Sequence, residues 1–454
     1  MASLESIFKA YDVRGLVPEQ LDDTLAYAIG SAFARFARDS AAGGIGNGVV
    51  VARDMRPSGV DLTQAFIRGV SDQGVDVIDL GLASTDLVYY ASGRLDAAAA
   101  VFTASHNPAQ YNGIKFCLAG AQPVGQDTGL AEIKAMAAEP APPAQTRGTV
   151  RSQELLEHYA DHVVGFVDLG VLRPFKVVAD TANGMGGLVV PPVFDRLPFD
   201  LEILYPDLDG TFPNHPADPI APENLRDLRE RVLHTGADVG LAFDGDADRV
   251  FLVDERAEPL SGSLTTAMVA KALLEKNPGA TILYNLICSK AVAEVVSENG
   301  GTPIKTRVGH SFIKARMADT GAVFGGEHSG HYYFLDNYRA DSGLIAAVVV
   351  LELMSQADQP LSELRKPFER YAASGEINTI VDDPLGVIEA VADHFSGQAD
   401  QDRMDGLTID FGDWWFNLRP SNTEPLLRLN LEAPDRASCE ARVAEVTALI
   451  KEKG

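Results

Sequence analysis

Short runs of branched and aromatic residues, each cut by glycine or a polar turn, recur along the chain and alternate with stretches of helical periodicity. Three segments share one layout. Val49-Val-Val-Ala-Arg-Asp54 leads through a loop into a helical stretch around Ala65-Phe-Ile-Arg68 and on to Gly74-Val-Asp-Val-Ile-Asp79. Lys176-Val-Val-Ala-Asp180 is followed by the small-residue loop Asn183-Gly-Met-Gly-Gly187, a helical stretch and Leu201-Glu-Ile-Leu204. Ala280-Thr-Ile-Leu-Tyr284 precedes Ser289-Lys-Ala-Val-Ala-Glu-Val-Val296, Gly300-Gly301 and Pro303-Ile-Lys-Thr306. Each reads as strand, loop, helix, glycine turn, strand, the βαβ pattern of a parallel or mixed sheet. Their spacing, on the order of a hundred residues, is that of domain-sized repeats and not of a solenoid.

Two further apolar runs, Gly240-Leu-Ala-Phe243 and Val250-Phe-Leu-Val253, predict buried strands on either side of an acidic loop, and Ala97-Ala-Ala-Ala-Val-Phe102 predicts another. Gly343 to Met354 is the longest apolar run, too short to span a bilayer and read as a core helix. Beyond the polar break Gln356 to Pro360 the pattern changes: Glu376 to Val381, Leu407 to Phe411, Trp414 to Leu418 and Pro425 to Leu431 predict strands, and Arg436 to Glu452 a final helix. Strands and helices no longer interleave, so a small α+β domain closing over the others is expected.

The 454 residues suffice for about three domains by length alone. With 46% hydrophobic and 22% charged residues and a mean hydropathy of -0.01, the composition is that of a soluble globular protein. A net charge of -26 excludes a nucleic-acid binder, which needs a basic footprint, but leaves room for a small anionic ligand held by a few converging cations. Three cysteines, Cys117, Cys288 and Cys439, form no CxxC pair, and no apolar export segment follows Glu5 and Lys9; a cytoplasmic protein with reduced thiols and no membrane partner is expected. Neither Gly43-Gly-Ile-Gly-Asn-Gly48 nor Gly184-Met-Gly-Gly-Leu-Val189 satisfies G-x-G-x-x-G, and no P-loop accompanies them, which argues against a nucleotide enzyme.

Four loops carry chemistry. In Asp244-Gly-Asp-Ala-Asp-Arg249 the aspartates alternate as in an EF-hand, with Glu255 at the twelfth position, but Arg249 stands where that loop needs glycine, and strands flank it instead of helices. A strand-loop-strand edge carrying a hard cation is the reading. Thr103-Ala-Ser-His-Asn-Pro108 presents a serine at a strand end and lacks the G-x-S-x-G elbow of acyl transfer. Gly325-Gly-Glu-His-Ser-Gly-His331 could be taken for a zinc site at His328 and His331; its i, i+3 spacing between glycines, far from any cysteine, favours polyol binding by Glu327 and Ser329. Leu418-Arg-Pro-Ser-Asn-Thr-Glu-Pro425 offers a guanidinium, hydroxyls and an amide, the donors a phosphate takes.

These four motifs in this order, with Lys9-Ala-Tyr-Asp-Val-Arg-Gly15, resemble the active-site loops and opening motif of the α-D-phosphohexomutase family. The resemblance implies an α/β fold of three topologically related α/β domains with mixed sheets plus a smaller C-terminal α+β domain around a central cleft, divided as residues 1–148, 149–254, 255–367 and 368–454. It implies that Ser105 is a phosphoserine and that Ser105, Asp244, Asp246 and Asp248 hold one Mg²⁺ per chain. By the same resemblance Arg249 is expected to support the phosphoserine or its leaving oxygen, and His106 and Lys115 are the candidates for proton transfer, Lys115 alternatively serving as a charge. The resemblance further implies that Glu327 and Ser329 bind the sugar's 3- and 4-hydroxyls, while Arg419, Ser421, Asn422 and Thr423 hold the phosphate that is not reacting. Tyr11, Arg14, Lys290, His310 and His331 match other cleft positions.

The implied reaction exchanges the 1- and 6-phosphates of a hexose phosphate through a hexose 1,6-bisphosphate. The sequence Gly325 to Phe334 with Arg339-Ala-Asp-Ser-Gly343 is most similar to the phosphomannomutase or dual phosphomannomutase/phosphoglucomutase branch. Phosphoglucosamine mutases usually carry glutamine where this chain has His328, which ranks that alternative below phosphoglucomutase. A noncatalytic calcium- or phosphosugar-binding module is the alternative of another class, and Ser105 discriminates it.

Overall fold

The computed structural model describes residues 4–40, 44–420 and 426–454, the side chain of His310 excepted. Three mixed sheets and one antiparallel sheet follow one another along the chain. In the first, the spatial order is Val13–Leu16, Tyr111–Leu118, Ala98–Phe102, Val49–Arg53, Val77–Leu82 and Val150–Ser152, with Gln122–Pro123 paired to Tyr111–Leu118. Tyr111–Leu118 runs antiparallel to its neighbours and the remaining pairs are parallel. Val49 to Ala52 and Ala98 to Phe102 are buried on both faces, which is why they read as unbroken apolar runs. Val150–Ser152, just beyond residue 148, still pairs with this first sheet.

The second sheet orders Val250–Asp254, Val239–Phe243, Lys176–Asp180 and Asp200–Leu204; the third orders Thr302–Thr306, Thr281–Asn285, Phe324–Gly326 and Tyr332–Phe334. Each repeats the first in outline, parallel βαβ pairs ending in one antiparallel pair. The helix Gly343–Ala357 is buried from Gly343 to Ser355, in the core cluster it shares with the first three sheets. Among the described residues no single helix is long and apolar enough to cross a membrane. The fourth sheet is wholly antiparallel, in the order Ala372–Ile380, Leu426–Ala433, Trp415–Pro420, Leu407–Asp410 and Asp400–Asp402. With helices Pro384–His394 and Arg436–Lys453 it encloses its own core, including Leu427, Leu429 and Leu431 at alternate positions.

One shared feature positions the site. The connections 102 to 111, 243 to 250, 326 to 332 and 420 to 426 each join an antiparallel pair of their own sheet. Each of the four chemistry-bearing motifs therefore occupies the same kind of hairpin connection in a separate unit.

Two local expectations shift. The strand expected at Gly74 begins at Val77, because the preceding helix Gly59–Asp72 ends in a turn with Gly74 at φ 76°, a conformation that favours glycine. The segment Gly325 to Phe334, read as a loop, is a strand-turn-strand, with Gly326 paired to Tyr332 at a position where a side chain would collide with Thr266.

Candidate active site

Ser105 is held in the left-handed region at φ 49°, a conformation that costs a serine energy unless its surroundings enforce it. Three contacts do so. Its backbone N–H donates to Thr103 Oγ1 at 2.9 Å, its carbonyl accepts from Arg56 at 2.8 Å, and Gly245 packs so close to that carbonyl that any Cβ there would strike it. The Ser105 hydroxyl thereby points at the aspartate loop and donates to Asp244 Oδ2 at 2.7 Å.

Asp244, Asp246 and Asp248 are all buried, and their ligand oxygens lie within 4.8 Å of one another. Two fixed cations face them. Lys115 Nζ donates to Asp246 Oδ2 at 2.7 Å and to Asp248 Oδ2 at 2.6 Å, and Arg249 donates through Nε to Asp244 Oδ2 at 3.0 Å. Burial alone would lower the Lys115 pKa, but the Asp246 and Asp248 carboxylates outweigh it and hold the ammonium well above its ordinary value. Burial, reinforced by Asp248 and Asp246, pushes the Asp244 carboxyl well up against the pull of Arg249. Ionised together, the three carboxylates would exceed the two cations by one charge, which is why the neighbouring carboxylates add to the rise at Asp244. Asp246 Oδ1 and Asp248 Oδ1 are also buried with no hydrogen-bond partner, an arrangement that costs energy unless a cation completes it. An all-oxygen donor set of this kind suits a hard divalent ion.

His106 Nδ1 lies 3.3 Å from Ser105 Oγ and accepts from Arg249 at 2.7 Å. Burial, then the Arg249 and Arg14 guanidiniums, hold its pKa well below the ordinary value, so the ring is neutral with Nδ1 as acceptor. Across the cleft, Glu327 is buried, its carboxylate accepting from Asn285 Nδ2 at 3.1 Å and from the Tyr333 hydroxyl at 2.8 Å. Ser329 Oγ lies 3.1 Å from His331 Nδ1, and His331 Nε2 is 3.7 Å from Asp248 Oδ1. An isolated bridge between Arg249 and His331 joins the backbones of the aspartate and Glu327 loops. His328 Nδ1 instead meets Ser263 Oγ at 2.9 Å, and among the described residues no group of three ligating side chains contains it.

Family models in domain order match most of the chain: phosphoglucomutase/phosphomannomutase alpha/beta/alpha domain I over residues 5–142, domain II over 157–258, domain III over 261–371, and the C-terminal domain over 376–449. The chain belongs to the phosphoglucomutase/phosphomannomutase family. It is 40% identical to a phosphomannomutase of Escherichia coli strain K12, covering 98% of this chain and 99% of that protein. It is 38% identical to a Xanthomonas campestris protein named phosphohexose mutases, with the same coverage. A crystal structure of a phosphoglucomutase/phosphomannomutase family protein from Burkholderia thailandensis superposes with a TM-score of 0.91 at 33% identity, covering 100% of this chain and 98% of that one.

In this member of the phosphoglucomutase/phosphomannomutase family the other expected residues that the structure describes make contacts of their own. Arg14 donates to Asn107 Oδ1 and to Asp12, both at 2.5 Å, and so braces the Ser105 loop. The Tyr11 hydroxyl donates to the Val308 carbonyl at 3.1 Å. Lys290 Nζ is engaged with Asp410 Oδ1 at 2.6 Å and the Gly412 carbonyl at 2.7 Å, tying the third unit to the fourth. Arg419 stands at the end of Trp415–Pro420 with Glu376 at 3.8 Å and Asp405 at 3.9 Å, its buried Nε without a partner. Ser421, Asn422, Thr423 and the side chain of His310 lie outside the described residues.

Sequence reasoning missed four contributors. Arg56 and Asp54, an ion pair at 3.2 Å with no exposure on either side chain, clamp the Ser105 loop from behind. Thr85 donates its hydroxyl to Asp246 Oδ2 at 2.6 Å. Arg428 pairs with Arg419 across the strands and shares Glu376 at 3.3 Å. None of the four had a local signal; Arg428 lies on the face of its strand opposite the core positions Leu427, Leu429 and Leu431.

Proposed function

We propose that the protein is a phosphomannomutase, interconverting mannose 6-phosphate and mannose 1-phosphate, with glucose phosphates as second substrates. Phosphorylated Ser105 gives its phosphoryl group to the free hydroxyl of the hexose phosphate: the bond from phosphorus to the sugar oxygen forms as the bond to Ser105 Oγ breaks, and the hydroxyl proton ends on Ser105 Oγ. A hexose 1,6-bisphosphate results, turns over in the cleft, and returns its other phosphate to Ser105. The observation that carries this reading is the Ser105 hydroxyl fixed 2.7 Å from Asp244, among buried charges and facing the Glu327 loop.

Ser105, Asp244, Asp246 and Asp248 would hold a Mg²⁺, which when bound supplies the positive charge that polarises the phosphoserine oxygen. Arg249, within 3.5 Å of Ser105 Oγ, stabilises charge on that oxygen as the P–O bond breaks. Lys115, locked between two carboxylates, acts as a fixed charge and not as a base. His106, with Nδ1 turned to Arg249, orients that guanidinium. Glu327 and Ser329 accept and donate to the sugar's 3- and 4-hydroxyls, and Arg419 with Ser421, Asn422 and Thr423 grips the distal phosphate. Tyr11, Arg14, Lys290, His310 and His331 complete the walls. The chain divides functionally near residues 148, 254 and 367, one loop per domain, and works in the cytoplasm, where its three buried thiols stay reduced.

Mannose is preferred because relatives in Escherichia coli and Vibrio cholerae aligned over 98% of this chain are named phosphomannomutase. Glucose remains the second reading, because hydroxyls 3 and 4 do not report the configuration at C2. Turnover of mannose, glucose and glucosamine 1-phosphates, side by side with Mg²⁺ and a trace of hexose 1,6-bisphosphate, tests it. Preference for mannose, with Ser105→Ala inactive but folded, supports the assignment. Preference for glucosamine moves it to the amino-sugar branch, and activity retained by Ser105→Ala refutes the phosphoserine.

A further inference from the structure

Asp86 lies outside all four loops and is fully buried as the second residue of helix Thr85–Leu95. One of its oxygens accepts from the Ser84 hydroxyl and from the Leu87 N–H at 2.8 Å; the other accepts from the Tyr159 hydroxyl and from the Ser342 hydroxyl at 2.8 Å. Helix capping does not explain it, since Ser84 already serves as the N-cap of that helix. A carboxylate buried without a cation is expensive, and four donors converging on it from separate parts of the chain mark a built junction.

The donors come from three units. Ser84 belongs to the first, Tyr159 to helix Leu156–Val164 leading into the second, and Ser342 caps helix Gly343–Ala357 of the third. The flanking residues reach the site directly. Thr85 donates its hydroxyl to Asp246 Oδ2 at 2.6 Å and its N–H to the Asp246 carbonyl at 3.1 Å. Gly343 packs so tightly on Arg249 that a Cβ would lie 2.6 Å from its carbonyl carbon. Asp341 pairs with the buried Lys314 at 2.8 Å, and its carboxylate lies within 4.8 Å of the ligating atoms of His331 and Asp248.

Resting on the mutase reading above, we propose that Asp86 is a positioning residue for the phosphoryl transfer. By gathering the Tyr159 and Ser342 hydroxyls on one carboxylate, it fixes the first three units in the register where Thr85 supports Asp246 and the Ser105 and Glu327 loops face one cleft.

The test uses the full-length protein at pH 8 with three variants, Asp86→Asn, Tyr159→Phe and Ser342→Ala. Tyr27→Phe serves as control, since Tyr27 donates to Asp72 at 2.9 Å in a part-buried pair outside the four loops. The readouts are kcat and KM for mannose 1-phosphate, Mn²⁺ affinity by calorimetry without sugar, and Tm. Since an error of about 1 Å in placement costs on the order of a hundredfold in rate, Tyr159→Phe should lower kcat about tenfold with KM within about twofold, and Asp86→Asn should lower it further. Mn²⁺ binding should weaken several-fold in both, and neither parameter should move in Tyr27→Phe. If Asp86→Asn does not fold, Tyr159→Phe decides. Variants that lose Tm yet keep wild-type kcat and Mn²⁺ affinity overturn the proposal. If the wild type turns over none of the sugars, the mutase reading fails by itself, and the Mn²⁺ titration alone judges the positioning role.

Discussion

Replacing Arg56 by lysine keeps the charge and removes the geometry. The guanidinium has no exposed surface and serves five acceptors: Asp54 Oδ2 at 3.2 Å, and the carbonyls of Pro108, Tyr111, Ser105 and Asn107 at 2.8, 2.9, 2.8 and 2.6 Å. An ammonium has three hydrogens on one nitrogen, so at least two of those five acceptors lose their donor. At about 1–3 kcal/mol for each buried group left unsatisfied, the loop loses about 2–6 kcal/mol. That matches or exceeds the 1–3 kcal/mol or so stored in a left-handed serine, so Ser105 should relax toward ordinary backbone and carry its hydroxyl away from Asp244. A displacement of about 1 Å costs on the order of a hundredfold in rate. The expected Arg56→Lys enzyme is folded, with a lower urea midpoint, about a hundredfold lower kcat and a KM much less affected. Intact mass after incubation with hexose 1,6-bisphosphate should show slow or incomplete phosphorylation of Ser105. A variant with wild-type phosphoserine content and kcat within about threefold of wild type would refute the idea that the fork geometry holds the nucleophile.

Three further outcomes are expected. Lys115→Met leaves Asp246 and Asp248 buried against one cation fewer, so its stability to urea in chelator should fall by about 3–5 kcal/mol, with added Mg²⁺ restoring more of it than in the wild type; an equal deficit with and without metal would count against the charge role. Arg419→Ala should raise KM for the hexose phosphate with a smaller effect on kcat, and an unchanged KM would remove it from phosphate binding. Burial pushes the Asp86 carboxyl up to about 7, against the hydrogen bonds from Ser84, Tyr159 and Ser342, with Asp248 adding to the rise. A native pKa above the unfolded value means that this group favours folding at low pH and that the contribution fades as pH rises from about 4 through about 7. The stability of wild type relative to Asp86→Asn should therefore fall by about 3–5 kcal/mol between pH 4 and pH 8, and parallel pH curves would contradict the shift.

The side chains that the structure gathers were legible where they share a short motif. Ser105, the three aspartates, Arg249, Glu327 and Ser329 sit in short motifs, because a hairpin connection must deliver several groups into one cleft from adjacent positions. The mixed sheets were legible from runs such as Val49 to Ala52, whose burial on both faces leaves no polar alternation. What supports the loops was not. Nothing in Asp54-Met-Arg-Pro57 distinguishes a guanidinium bound for the interior from one on the surface, since its partners are backbone carbonyls 49 to 55 residues away and carbonyls carry no sequence signature. Asp86 resembles any acidic residue in a first helical turn, and its other partners stand 73 and 256 residues further on.

The same distinction accounts for the charge balance of the protein. A net charge of -26 would repel a hexose bisphosphate from the surface at large, yet the cations that matter are not at the surface. Arg56, Lys115 and Arg249 are buried, and each is fixed in position by an ion pair with at least one aspartate. Against three metal-loop carboxylates, Lys115 and Arg249 leave one negative charge, which a single divalent ion turns positive. On the phosphoserine reading proposed above, a phosphoryl group arriving on Ser105 would then meet local attraction within a repulsive whole.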